Sequence, residues 1–106
     1  MIARRARRLV WTERAIADLE AIESYIAAEN QAAARRWIDK LLAAAKRMTK
    51  VPLSGRRVPE IGRDDVRETR LRTYRIVYRV TATQLDVLTV FEGHRLFPSD
   101  VVVPDR

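Results

Sequence analysis

Residues 74–80 read Tyr-Arg-Ile-Val-Tyr-Arg-Val, and no other stretch of the chain restricts its fold as much. At a period of two, Tyr74, Ile76, Tyr78 and Val80 point to one side, and Arg75, Val77 and Arg79 to the other. Such a strand belongs to a sheet with one side covered by apolar structure and the other presenting guanidinium groups. Segments 66–71 and 85–92 supply neighbouring strands. Leu85 to Phe91 is apolar on both sides apart from Asp86 and Thr89, as an interior strand is. Thr81-Ala82-Thr83-Gln84 makes the turn, without the Asn-Gly signal of a tight hairpin. Tyr74 and Tyr78 alternate with arginines in a way that suggests base stacking, but they share the side of Ile76, which is core packing.

The cover comes from the first half. Leu9-Val10-Trp11 reads as a short opening strand, with Thr12 as helix N-cap and Glu13 in the favourable first turn. Ala15, Ile16, Leu19, Ile22 and Ile26 recur at helical spacing, predicting a helix over 13–28. Glu29-Asn30-Gln31 interrupts it. A second helix over 31–49 carries Ala34, Trp37, Ile38, Leu41, Leu42, Ala45 and Met48 on one stripe. Lys46, Arg47 and Lys50 complement the dipole at its end. So short a connection folds the two back as an αα-hairpin. Val51-Pro52-Leu53-Ser54-Gly55 closes the helical half, and 56–65, with Pro59 and Gly62, reads as a loop. The expected class is α+β: an N-terminal short strand and an αα-hairpin packed on one face of a small twisted antiparallel sheet. The 106 residues suit one domain, 1–106, with a basic arm at 1–8 and an apolar tail at 98–106 that periodicity does not place.

Composition narrows the chemistry. The absence of cysteine excludes a disulfide scaffold, a thiol nucleophile and Cys-ligated metal, and a single histidine argues against structural zinc. No metal and no cofactor is expected. Without a run of ~18 apolar residues or a signal-peptide core, the reading is a cytoplasmic protein. The net charge of +7 is uneven. Residues 13–29 are acidic and 31–50 basic, while 56–79 holds Arg56, Arg57, Arg63, Arg67, Arg70, Arg72, Arg75 and Arg79 and no lysine. That arginine set is either a solvated strand face or a surface for a polyanion or an acidic protein.

Conventional catalytic sets are thin. A Ser-His-Asp triad would need His94 beside Ser24, Ser54 or Ser99, and none of these sits in a nucleophile elbow. Gly55, Gly62 and Gly93 form no phosphate-cradling loop. An RNA-cleaving set of Arg75 and Arg95 with Glu60 and His94 survives, the arginines clamping a phosphate and the other two moving protons. A lone histidine beside glycine at a strand end is usually an ordinary surface residue.

The stretches Trp11–Ile26 (WTERAIADLEAIESYI), Gly55–Glu60 (GRRVPE), Arg67-Glu68, Tyr74–Val80 (YRIVYRV) and Val87–Arg95 (VLTVFEGHR) resemble, in order and spacing, the RelE/ParE superfamily of bacterial type II toxins. The ParE branch is closer, and the likeness spans residues 9–97. It implies the same α+β fold and a toxin neutralised by a cognate antitoxin whose acidic, amphipathic C-terminal segment wraps it. ParE-like members poison DNA gyrase; RelE-like members cut mRNA on the ribosome. Glu92-Gly93-His94-Arg95 resembles the ParE pattern His-Gly-X-Arg, with Glu92 where that pattern has His. His94, Glu60 and Arg75 match catalytic positions of RNA-cleaving relatives, but Arg95 replaces an aromatic there and the RelE lysines are missing. The resemblance therefore implies gyrase inhibition by binding. Arg67, Arg75, Arg79 and Arg95 are then target-binding, and Trp37, Leu41 and Leu42 are antitoxin anchors or ordinary core. The alternatives are a ribosome-dependent endoribonuclease using Glu60, Arg75, His94 and Arg95, and a non-toxic relative that binds only antitoxin.

Overall fold

Thr12 joins the first strand to the first helix. In the computed structural model, which describes residues 6–105, strand β1 runs Arg8–Trp11 and helix α1 Glu13–Ala27. The Thr12 hydroxyl oxygen accepts from the Ala15 amide at 3.2 Å, satisfying a free donor of the first turn. The same hydroxyl donates to the Val87 carbonyl at 2.7 Å, so the cap also ties the helix start to the sheet. Asn30 caps α2, Gln31–Met48, by accepting from the Ala33 amide at 2.9 Å. Both helices fall within a residue of their predicted bounds.

A 3₁₀ turn at Pro52–Ser54 leads into β2 (Arg56–Arg57), β3 (Val66–Leu71), β4 (Tyr74–Val80) and β5 (Gln84–Glu92). The five strands form one sheet in the order β1-β5-β4-β3-β2. Strands β2 to β5 pair antiparallel, but β1 runs parallel to β5, from Arg8 opposite Gln84 to Trp11 opposite Val87. The sheet is therefore mixed, which corrects the antiparallel expectation; the intervening chain is long enough to bring β1 back in the same direction. Arg56 and Arg57 also depart from the predicted loop by pairing with Glu68 and Arg67.

The basic arm is in part structural. Arg8 opens β1, while Arg7 donates from its amide to the Thr49 carbonyl at 3.0 Å and from Nε to the Thr81 carbonyl at 2.8 Å. Residues 1–5 of that arm lie outside the described residues. Among the described residues, no helix is long and apolar enough to cross a membrane.

Apolar layers lie on both faces of the sheet. On the inner face, Ala15, Leu41, Ala44, Ala45 and Met48 pack on Ile76, Tyr78, Leu85, Val87 and Val90. Burying each large aliphatic side chain contributes about 1.5–3 kcal/mol. On the outer face, Val58, Val66, Val77, Leu88 and Phe91 gather with Ile61, Phe97, Val101 and Val103. The register between β4 and β5 shifts at Val77/Tyr78, which face Thr89 and Val87. The bulge sets Leu88 into the outer cluster while Val87 and Val90 stay with the helices. Beyond the end of β1, Asp18 of α1 serves the open edge of β5, accepting from the Val90 amide at 3.1 Å and the Thr89 hydroxyl at 2.5 Å.

This second layer overturns the expectation of an open guanidinium face. Strand parity is as predicted, with Tyr74, Ile76, Tyr78 and Val80 toward the helices. The opposite side is roofed by the segment after β2 and by the tail, because both carry apolar residues that need cover.

Candidate functional site

Antiparallel register sets Arg70 of β3 directly opposite Arg75 of β4, with Glu68 one diagonal step away on the same face. Two guanidiniums facing each other would repel unless carboxylates intervened, and two do. Arg75 donates from Nη1 and Nη2 to the two carboxylate oxygens of Glu60, each at 2.8 Å. It also donates to Glu68 Oε1 from Nε at 2.8 Å and from Nη2 at 2.5 Å. The other Glu68 oxygen accepts from Arg56 Nε at 3.1 Å and Nη2 at 2.6 Å, with Arg70 Nε at 3.8 Å. The Arg75 side chain is 5% exposed and that of Glu68 1%.

The remaining surroundings are aromatic. The Arg75 guanidinium carbon lies 5.0 Å from the Phe91 ring centre and 5.8 Å from that of Phe97. The two rings meet edge to face at 5.5 Å. Planar guanidinium suits such stacking, and the apolar walls strengthen the ion pairs they enclose. Hydrogen bonds from Arg75 hold the Glu60 carboxyl down at about 2, and those same bonds raise the Arg75 pKa. Glu60 is thus an anion, and a weak base, at neutral pH. A proton-transfer group works best with a pKa near the operating pH.

Of the proposed RNA-cleaving set, the structure joins only Glu60 and Arg75, and they neutralise each other. His94 lies in solvent, its side chain 82% exposed and its Nδ1 2.8 Å from Glu92 Oε1. Arg95 is exposed and lines a different surface.

The proposed target-binding arginines fare similarly. Arg67 donates to the Asp64 carbonyl at 2.8 Å and the Gly55 carbonyl at 3.2 Å, stapling loops. Arg79 lies 3.7 Å from both Asp65 and Asp86 and donates to the Asp105 carbonyl at 3.1 Å. Arg75 is buried. The expectation that Arg75 and Arg79 project from an open face is corrected: both are internal tethers. Arg95 alone of the four projects outward. Among the antitoxin anchors, Leu41 is completely buried and belongs to the core. Trp37 is half-buried, edge-on to Tyr74 and under Arg72; Leu42 is 37% exposed.

Glu68 is the centre of the site and carries no catalytic signal in the sequence. Its traces there are its parity with Arg70, opposite Arg75, and its place in the Arg67-Glu68 stretch of the family likeness. A second surface is a groove of about 620 Å³ between α1 and the end of β5, lined by Ile22, Tyr25, Tyr74, Arg95 and Leu96 among others. Tyr25 and Leu96 are 81% and 92% exposed. Burial, with Glu92 and Tyr25 nearby, raises the Tyr74 pKa against the opposing influence of Arg95. Among the described residues no cluster of His, Cys, Asp and Glu would hold a metal.

The fold and site thus define a small α+β domain with a closed arginine clamp behind its sheet and an apolar groove beside its hairpin. The family model for the ParE toxin of the type II toxin-antitoxin system, parDE, matches residues 9–97, and the chain belongs to that family. A solved structure described as the chromosomal ParDE TA system from P. aeruginosa is similar at a TM-score of 0.69 and 23% identity, covering 82% of this chain and 96% of that one. That likeness is one of fold. No curated protein matches the chain. Membership in a type II toxin family implies an antitoxin partner.

Proposed function

We propose that this chain is a toxin that acts by binding, with DNA gyrase as its target, and that a cognate antitoxin neutralises it. The observation that favours binding over RNA cleavage is the commitment of Arg75 to Glu60 and Glu68. Transition-state stabilisation at a phosphate requires donors aimed at the developing charge. Arg75 is aimed at two carboxylates instead, and Glu60 is too weak a base to take a proton near neutrality. Arg95, projecting beside Tyr25 and Leu96, is the arginine placed to touch a target. The antitoxin is an acidic, amphipathic segment running along the hairpin, its apolar side meeting Tyr25, Leu42 and Leu96 and its acids meeting Arg95.

Adding the purified chain to a gyrase supercoiling assay, and in parallel to a translating ribosome extract, tests this. Lost supercoiling with intact mRNA is expected. New mRNA ends with supercoiling intact would favour the endoribonuclease. Neither effect, with antitoxin binding retained, would point to a relative without toxicity.

A further inference from the structure

The arginines of the sheet and the cations of α2 differ in how their charge is met. On the sheet and its loops, Arg56, Arg57, Arg63, Arg70, Arg75 and Arg79 all pair with carboxylates of the same chain. Arg35, Arg36, Lys40, Lys46 and Arg47 of α2, with Lys50 just past its end, are all exposed. None of these six is held by a carboxylate among the described residues, and Asp39 is the sole acid on the helix. At ~100° per residue the five helical cations occupy an arc of about 140°. The buried Ala34, Leu41, Ala45 and Met48 lie opposite that arc, so the cations face directly away from the sheet.

We propose that this face of α2 binds the phosphate backbone of duplex nucleic acid without regard to sequence. Five cations along a helix about 27 Å long, with Lys50 just past its end, match a polyanion that carries a charge about every 1.7 Å. Ala32, Asp39 and Ala43 lie within the arc, Asp39 being the one acid among the cations. No large apolar side chain lies within the arc; the exposed Leu42 falls at its edge, and Val51 and Leu53 follow the helix beside Lys50. Exposed Glu13, Glu20 and Glu23 on α1 confine the positive field to α2 and turn the other helix away from the phosphates. This inference holds whichever target the toxin has.

Fluorescence anisotropy of the full chain with a labelled 24-base-pair duplex of arbitrary sequence, titrated between 50 and 300 mM KCl, tests it. Because each neutralised phosphate contributes about −0.9 to the slope of log K against log salt, a slope of about −3 to −5 is expected. Arg36→Gln, Lys40→Gln and Arg47→Gln combined should reduce it by about 2–3 and weaken binding roughly tenfold or more at 100 mM. Arg8→Gln with Arg57→Gln should leave the slope nearly unchanged. If the triple variant loses its helical circular dichroism, Lys40→Gln and Arg47→Gln singly should each reduce the slope by about 1. The proposal fails if the chain does not bind at 50 mM, or if the α2 variants keep the parental slope. It also fails if polyglutamate displaces the duplex at equal charge concentration, which would mark the face as a dock for acidic protein.

Discussion

Arg75 and Glu60 meet in two parallel hydrogen bonds of 2.8 Å each, across fifteen residues of sequence. This fork-to-fork geometry is the strong form of the ion pair. It makes Arg75 part of the structure that holds the outer layer down, with Glu68 beneath it and two phenylalanines around it.

Arg75→Ala would leave the Glu68 carboxylate buried with only Arg56 and a distant Arg70. Removing one partner of a buried pair costs about 3–5 kcal/mol. A clear fall in the urea midpoint is expected; a change below about 0.5 kcal/mol, typical of a surface site, would refute the buried clamp.

Acid should loosen the clamp within a defined window. The Glu60 pKa is about 2 in the fold against 4.5 unperturbed, so below pH 4.5 the unfolded chain binds more protons than the folded one. Its contribution is complete above pH 4.5 and is lost as pH falls toward 2. The Glu60 side chain is 40% exposed, and solvent screening reduces the size of the effect. Urea midpoints of the parent should therefore fall more steeply than those of Glu60→Gln between pH 4.5 and 2, with the two curves converging at the acid end.

Gly55 and Tyr78 should be energetically coupled. A Cβ on Gly55 would collide with the Tyr78 hydroxyl and lie 2.8 Å from the Glu68 carbonyl. Gly55→Ala should destabilise by about 1–3 kcal/mol. Tyr78→Phe removes the bond to the Pro52 carbonyl, 2.7 Å long, at a cost of about 1–2 kcal/mol. In the double variant one collision is gone, so the alanine should cost at least about 0.5 kcal/mol less than in the parent. Burial also pushes the Tyr78 hydroxyl up to about 12, so tyrosinate absorbance from it should be missing at pH 10.

Arg95→Ala and His94→Ala both lie on the exposed turn after β5. Each should change stability by less than about 0.5 kcal/mol. Arg95→Ala should weaken inhibition of supercoiling, and His94→Ala should not; loss of activity on His94→Ala alone would revive the cleavage reading.

The helices and the strands β3 to β5 are legible because each writes its period into local sequence, down to the cap at Thr12. The parallel partnership of β1 is not, since nothing near Leu9 says which strand it meets. Alternation in β4 shows which side each residue takes but not what covers that side. Phe97, Val101 and Val103 supply the cover from a segment with no period of its own. For the same reason the destination of Arg75 stays hidden, because Glu60 reaches it from an irregular loop. The basic face of α2 is fully legible, needing only helical spacing and the sign of each charge.

Arg8 and Gln84 are partners separated by seventy-six positions. Joining two points that far apart costs about 4 kcal/mol of chain entropy beyond a fixed offset, before any contact repays it. During synthesis the opening strand has nothing to pair with until Gln84–Val87 have been made. Helices can form early, but the sheet can assemble only late, and folding should be slow for a chain of this length. A newly made chain therefore spends an interval with its edges unsatisfied, when capture by another polypeptide is easiest.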